Sequence, residues 1–409
     1  MISLKAKSKK LHTRVALPAS KSESNRALII QALSGGKIAL DNLSSARDTQ
    51  TMIRLLNSEG LVLDVIDAGT TMRFLTAFCS AVGRDQILTG TPRMCQRPIG
   101  ALVDALRSLG AEINYRNQEG YPPLHIVNQG RKLDGGALTM QGNISSQFIT
   151  AILMIAPYLK EGLQIDLDGD ITSRPYIEMT RKLMAHFGVE TEWVGERSIK
   201  VPESEYQENS YTIESDWSAA SYWYSMLALA DEGEVFLEGL RRDSWQGDQG
   251  IREIMRNFGV STRFTKEGAQ LTKKKLKARK KPLHIDFTDT PDLAQTVAVV
   301  SAATGIPVFM TGLHTLRVKE TDRIHALQTE LAKFGVDMKV EGDDCTVEGI
   351  ARPSEKSVET YEDHRMAMAF APLALRQEEL LVKHPEVVEK SYPEYWDHLK
   401  MAGIESTKW

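Results

Sequence analysis

Six times along this chain an amphipathic stretch ends in glycine, and an apolar residue then opens a strand-like run. The glycines are Gly60 (NSEGLVLDV), Gly110 (RSLGAEINY), Gly188 (AHFGVETEW), Gly259 (RNFGVSTRF), Gly335 (AKFGVDMKV) and Gly403 (KMAGIES), spaced 50 to 78 residues apart. Glycine enters the left-handed conformation that ends a helix, and the β-rich run behind it starts a strand. Ahead of Gly335, residues Ile324, Leu327, Leu331 and Phe334 recur three or four apart on one helical face, and Leu102, Leu106 and Leu109 do the same ahead of Gly110. Behind Gly335, Val336, Met338 and Val340 alternate with polar residues, as a half-buried strand requires. A period of about 69 residues is longer than solenoid repeats. Six helix-then-strand units point instead to an α/β protein of two domains with three units each. The first spacing is the shortest, so that unit is expected to lack a hairpin.

At 409 residues the chain exceeds what one core usually holds. Net charge is −4, which gives no global basic field for nucleic acid. Cys79, Cys95 and Cys345 form no CxxC pair and are too few for a disulfide framework. The first dozen residues carry no apolar signal core, and the longest apolar stretch, Phe148 to Leu159, is too short to span a bilayer. The expectation is a cytoplasmic protein with neither nucleic-acid nor membrane partners. The basic run Lys273–Lys281 has no interleaved aromatic residue to stack bases and is expected to form a solvated face.

Several segments join small, hydroxyl and cationic residues ahead of apolar helices: Pro18–Arg26, Asp67–Arg73, Pro92–Pro98, Gly142–Phe148, Ser173–Tyr176, Arg317–Arg323 and Asp363–Arg365. A helix start offers backbone N–H donors and the positive end of the dipole, and Lys or Arg adds a full charge. Arginine grips carboxylate or phosphate with two parallel hydrogen bonds. Glu320 beside Lys319 is how an acid of tuned pKa is built. The chain has no P-loop, no GxGxxG turn, no GxSxG elbow, no HExxH and no paired His/Cys ligands. Cations spread over all units of a slightly acidic chain imply a local positive cleft for small, multiply charged anions.

In combination, PASKSESNRAL, DAGTTMR, TPRMCQRPIG, GNISSQF, TSRPYIEMT, SDWSAASYW, SWQGD, RVKETDR and EDHRMAMAF resemble the enolpyruvyl transferases, in family order and across nearly the whole chain. The resemblance is greatest to the branch acting on shikimate 3-phosphate. It implies a two-domain inside-out α/β barrel with three βαβαββ units per domain and an active site in the interdomain cleft. Residues 20–213 are the expected N-terminal domain, and 1–19 plus 214–409 the C-terminal one. The implied reaction moves the enolpyruvyl group of phosphoenolpyruvate to the 5-hydroxyl of shikimate 3-phosphate and releases phosphate, on the route to chorismate and aromatic amino acids. Neither a metal nor an organic cofactor is implied, and the expected state is a monomer.

Carried over residue by residue, the resemblance assigns shikimate 3-phosphate to Lys21, Ser22, Arg26, Ser145, Ser146, Ser173, Tyr176, Asp292, Thr315 and Lys319. It assigns phosphoenolpyruvate to Lys21, Gly69, Arg97, Gln147, Arg323, Arg365 and Lys390. The catalytic set is Asp292, which takes the 5-hydroxyl proton, Glu320, which protonates the methylene carbon, and Lys21, His364 and Lys390. Three residues depart from the family pattern: Asp67 and Thr315 each replace an Asn, and Phe74 replaces a Pro. Asp67 beside a phosphate site needs a cationic partner, for which Arg73 is the nearest in sequence. Gly69 leaves room for glyphosate, so sensitivity is expected. Two rival readings are the sister enzyme acting on UDP-N-acetylglucosamine, with Cys95 as its reactive thiol, and a non-catalytic anion-binding homologue. The Gln-Arg-Pro directly after Cys95 opposes the first, and the set Lys21, Asp292, Glu320, His364 and Lys390 opposes the second.

Overall fold

The computed structural model describes residues 1–409 apart from 128, 129, 131, 277, 278, 280 and 409. The chain divides into two compact units. One contains residues 1–19 and 214–409, and the other contains residues 20–213. The latter is therefore an insertion into the former, and the names split unit and inserted unit follow from this.

The split unit opens with β1 (Ile2–Ala6) and β2 (Lys10–Ala16). The inserted unit runs α1 (Lys21–Leu33), β3 (Ala39–Asp41), α2 (Arg47–Leu56), β4 (Val62–Asp64), α3 (Gly69–Val82), β5 (Gln86–Thr89), α4 (Gly100–Ser108), β6 (Glu112–Tyr115), β7 (Leu124–Val127), β8 (Asp134–Gln141), α5 (Ser146–Ile155), β9 (Lys160–Asp168), α6 (Arg174–His186), β10 (Glu192–Val194), β11 (Ser198–Val201) and β12 (Ser210–Thr212). The split unit resumes with α7 (Trp217–Leu229), β13 (Glu232–Glu238), α8 (Ile251–Arg256), β14 (Val260–Phe264), β15 (Gly268–Lys273), β16 (Leu283–Asp286), α9 (Ala294–Thr304), β17 (Val308–Thr311), α10 (Arg323–Ala332), β18 (Asp337–Glu341), β19 (Asp344–Glu348), α11 (His364–Phe370), β20 (Leu380–Val382), α12 (Tyr395–Met401) and β21 (Ile404–Lys408).

One plan recurs in the sheets ordered β4-β5-β7-β6, β8-β9-β11-β10, β2-β13-β15-β14 and β16-β17-β19-β18. The first two strands of each are parallel, and a hairpin docks antiparallel on the second. A single helix joins the parallel pair in three of them (α3, α5 and α9), whereas the whole inserted unit and then α7 lie between β2 and β13; in all four a second helix leads into the hairpin. That second helix is α4, α6, α8 or α10, and each ends at a junction glycine with φ between 73° and 93°. At Gly110 and Gly188 the amide of the following residue also reaches back into the helix, from Ala111 to the Leu106 carbonyl (3.0 Å) and from Val189 to the Met184 carbonyl (2.9 Å). These bonds satisfy carbonyls that the helix end would otherwise leave open. The two remaining sheets are shorter. Strands β3 and β12 pair in parallel, with no hairpin among the described residues before β4 begins. In the other, β1 lies antiparallel between β20 and β21.

Gly60 differs from the other junctions. Helix α2 ends at Leu56 with Asn57 as its cap, and Gly60, three residues beyond, is not left-handed. Asparagine rather than glycine stops that helix.

The helices lie inside and the sheets outside. Nearly every residue of α3 and α5 is buried, and likewise of α7, α9 and α11. Within the inserted unit α1, α3 and α5 pack on one another, and within the split unit α7, α9 and α11 do so. A helix buried on all sides needs mostly apolar or small residues, which AQTVAVVSAAT (α9) and the MAMAF that follows buried His364 and Arg365 in α11 supply. The strands have one face in and one face out, as at Met338, buried between exposed Asp337 and Lys339. In the basic run, Lys274, Lys275, Arg279 and Lys281 are exposed as expected, while 277, 278 and 280 lie outside the described residues. Lys273 departs from the expectation. It is half-buried, its ammonium donates to the Ala228 carbonyl, and burial together with Arg376 pushes its pKa down to about 8.

Candidate active site

In the inserted unit the first turns of several helices are tied together by side chains. Ser20 caps α1, accepting from the Glu23 amide. Lys21, the first residue of α1, pairs with Asp48 in the first turn of α2 (3.0 Å). The Thr71 hydroxyl, in the first turn of α3, lies 3.4 Å from the Asp48 carbonyl. Gln147, in the first turn of α5, donates to the Thr70 hydroxyl of α3 (3.1 Å). Ser145 caps α5 and accepts from the Gln147 amide, with Ser146 buried beside it. Arg26 of α1 is buried. It donates to the Thr180 hydroxyl of α6 (2.8 Å) and the Ser22 carbonyl (2.9 Å), and lies 5.5 Å from the Phe74 ring centroid and 5.9 Å from that of Tyr176. Burial lowers its pKa to about 10. Ser173 precedes α6 with φ 55°, a left-handed conformation unusual for serine that aims the chain into the helix start. Gly69 opens α3, and a Cβ there would sit 2.5 Å from an Arg97 guanidinium nitrogen. Converging helix starts, the cations Lys21, Arg26 and Arg97 and a row of hydroxyls give this surface the chemistry that suits an anion.

The split unit repeats the convergence with a different chemistry. Asp292, just ahead of α9, accepts from Arg323 (2.9 Å) and Arg365 (2.8 Å) and lies 3.7 Å from the Lys319 ammonium. Arg323, the first residue of α10, is almost fully buried. It also reaches Glu320 (3.0 Å) and Asp363 (2.7 Å), so one guanidinium serves three carboxylates. Lys390 is buried with its ammonium 3.9 Å from Glu320. Asp363 caps α11, accepting from the Arg365 amide (2.8 Å), and lies 3.7 Å from Nδ1 of buried His364. Burial alone would push the Asp292 carboxyl up, but Arg365, Lys319 and Arg323 outweigh it and hold it well below the usual carboxylate range. The reverse balance acts on Arg323: burial lowers its pKa, and Asp363, Glu320 and Asp292 more than restore it.

The expected residues thus fall into two groups. Lys21, Ser22, Arg26, Gly69, Arg97, Ser145, Ser146, Gln147, Ser173 and Tyr176 belong to the inserted unit, and Asp292, Thr315, Lys319, Glu320, Arg323, His364, Arg365 and Lys390 to the split unit. Thr315 sits in the short turn His314–Val318, its hydroxyl buried without a hydrogen-bond partner among the described residues. The Asp67 carboxylate meets Arg47 of α2 (2.9 Å), while Arg73 donates to the Gly69 (3.1 Å) and Pro98 (3.0 Å) carbonyls. Position 73 lies within α3, where its side chain bends back along the helix to Gly69 and reaches Pro98, the neighbour of Arg97. Cys95 is half-buried with its sulfur 3.6 Å from the Gly90 carbonyl. No helix among the described residues is long and apolar enough to cross a membrane, and no group of three or more His, Cys, Asp or Glu side chains there is placed to hold a metal.

The family model described as EPSP synthase (3-phosphoshikimate 1-carboxyvinyltransferase) matches residues 5–60 and 54–399. The chain belongs to the EPSP synthase family. A 3-phosphoshikimate 1-carboxyvinyltransferase of Bacteroides fragilis is 48% identical over 393 residues, covering 95% of each chain. One from Pasteurella multocida is 36% identical over 429 residues, covering 96% of each. An EPSP synthase structure from Acinetobacter baumannii superposes with a TM-score of 0.79 over 100% of both chains at 21% identity, which speaks for a shared fold.

Against this EPSP synthase framework, several supporting side chains carried no assigned role in the sequence reading. Asp48 holds Lys21. Tyr222 and Ser218 of α7 lie 3.3 and 3.4 Å from the Arg365 guanidinium. Ser218 donates in turn to buried Asp248, whose pKa burial and the neighbouring Asp292 push up to about 6. The motifs SDWSAASYW and SWQGD contain Ser218, Tyr222 and Asp248, and were the available signal for them.

Proposed function

We propose that this chain transfers the enolpyruvyl group of phosphoenolpyruvate to the 5-hydroxyl of shikimate 3-phosphate, with phosphate as the second product. The observation that carries the mechanism is the network in which Asp292, Glu320, Arg323, Asp363, Arg365 and Lys390, drawn from four separate segments, share ion pairs. A binding module needs cations, but it does not need two carboxylates held at the edge of a cation cluster.

In the addition step the 5-hydroxyl oxygen forms a bond to C2 of phosphoenolpyruvate. Its proton passes to Asp292, and Glu320 delivers a proton to C3, turning the methylene into a methyl group. In the elimination step Glu320 takes a proton back from that methyl. The C2–O bond to phosphate breaks, and the Asp292 proton leaves with the phosphate. Each carboxyl ends as it began, which is general acid–base catalysis in two matched halves. The surrounding cations stabilise charge on the departing phosphate.

Asp292 is a poor base while three cations surround it. The carboxylate and phosphate of phosphoenolpyruvate compete for Arg323, Arg365 and Lys390. Drawing the two arginines away from Asp292 removes the cause of its low pKa and makes it basic when the substrate is present. Shikimate 3-phosphate is assigned to Ser22, Arg26, Ser145, Ser146, Ser173, Tyr176, Thr315 and Lys319, and Lys21 serves both substrates. Gly69, Arg97 and Gln147 complete the phosphoenolpyruvate set. Charged hydrogen bonds contribute about 1.5–3 kcal/mol each, so a handful suffices to hold two multiply charged anions.

Phosphate release on mixing the two substrates with the protein tests this reading. The expected outcome is release that needs both substrates. Release from phosphoenolpyruvate alone, or none with both, would reject it. Loss of activity on incubation with fosfomycin, with Cys95 covalently modified, would transfer the assignment to the sister activity.

A further inference from the structure

Residues Thr360 to Asp363, directly ahead of α11, form a turn in which the Asp363 amide donates to the Thr360 carbonyl (2.9 Å). Its two central residues, Tyr361 (φ 53°) and Glu362 (φ 57°), are both left-handed, and neither is glycine. Such a pair is ordinarily Asn-Gly, because a Cβ crowds the following carbonyl oxygen in this conformation. Something outside the turn must hold it, since strained backbone persists only where its surroundings over-determine it.

The structure identifies what holds it. Helix α10 carries Arg323 at its start and Glu330 seven residues on, two helical turns along the same face. Arg323 grips Asp363 at one end of the segment. Glu330 is fully buried and grips the other end: one carboxylate oxygen accepts from the Tyr361 hydroxyl (2.7 Å), and the other accepts from the Glu359 amide (3.0 Å) and the Lys333 ammonium (2.6 Å). The Tyr361 ring packs against the hydrophobic core. Glu362 is exposed. The turn delivers Asp363 into its cap position on α11, and that cap sets where His364 and Arg365 stand.

We propose that Glu330 and Tyr361 are positioning residues for the transfer reaction: their buried hydrogen bond holds the left-handed turn that presents Asp363, His364 and Arg365. This rests on the reading of those three residues as part of the enolpyruvyl-transfer site. The idea separates strain from contact, because glycine at an exposed left-handed position relieves the need for the clamp without touching it.

The experiment compares wild type, Tyr361→Phe, Glu362→Gly and the double variant by steady-state kinetics and by amide hydrogen exchange at residues 363–366. Tyr361→Phe keeps the ring and should melt cooperatively. It should lose about tenfold in kcat and raise KM for phosphoenolpyruvate severalfold through a displaced Arg365. Its Asp363 and Arg365 amides should exchange faster. Glu362→Gly alone should stay within about twofold of wild type, and the double variant should recover most of the lost kcat and protection. Wild-type kinetics and exchange in Tyr361→Phe, or a double variant no better than the single one, would overturn the clamp. A wild-type protein that releases no phosphate would overturn the functional reading instead, and the exchange comparison would still decide the clamp.

Discussion

The two units share one plan of buried helices whose first turns converge, yet they use it differently. In the inserted unit the convergence presents hydroxyls, backbone amides and cations, with Asp48 the acid tied to Lys21. Arg26 makes its hydrogen bonds there to neutral oxygen and lies near two ring faces. In the split unit the same geometry presents a dense alternation of charge, with Arg323 alone meeting three carboxylates. The difference teaches that a helix start provides an anion site by default and becomes a proton-transfer site only when acids are added and balanced. The inserted unit is accordingly read as grip and the split unit as proton chemistry.

The largest expected effect falls on the split unit. Glu320→Gln should lower kcat by about 10²–10⁴-fold while leaving both KM values within severalfold, since it removes an acid but not a charge grip. Full turnover in that variant would take the acid out of the mechanism. Stability should divide the units next. Arg323→Leu leaves Asp292, Glu320 and Asp363 without their shared cation and should cost about 3–5 kcal/mol in chemical denaturation. Arg26→Met gives up no carboxylate hydrogen bond and should cost about 1 kcal/mol. Equal losses would erase the contrast.

Arg97→Ala should raise KM for phosphoenolpyruvate by about 10–100-fold with a much smaller change in kcat, as removal of a binding cation does. A kcat loss matching that of Glu320→Gln would mean that grip and chemistry are not divided this way. The smallest effect is a pH-dependent one. Asp248 has its pKa raised to about 6 from 3.8 in the folded protein. A raised acid favours the folded state below its unfolded pKa and loses that contribution as pH rises through the folded value. Asp248→Asn should therefore be more stable than wild type above about pH 6, on the order of 2 kcal/mol, and the gap should close towards pH 4. Thermal melts across that range check it, and a constant gap would remove Asp248 as the titrating group.

Much of the architecture could be read in advance because glycine has a conformational role few residues can take. Gly110, Gly188, Gly259, Gly335 and Gly403 are all left-handed, and their spacing outlined the units. Helix starts were legible for a related reason: small and hydroxyl residues ahead of apolar runs mark where backbone donors are left open. Strand partnership was not legible. Nothing local in KLHTRVA says that β2 will lie beside β13 rather than beside a neighbour in sequence. A supporting acid outside the motifs was equally silent, since a buried Glu330 looks in sequence like any surface carboxylate. Asp67 shows the limit best: Arg47, which meets its carboxylate, lies on helix α2, twenty residues away in sequence.

The insertion sets an order of events on the ribosome. By the time Thr212 emerges, the inserted unit has every strand it will use, β3 and β12 included. The split unit does not. Strand β2 must wait for β13, and β1 gains its second neighbour only with the arrival of β21. One lobe can thus mature while the chain is still growing, whereas the other must keep β1 and β2 waiting for strands that lie beyond the whole insertion.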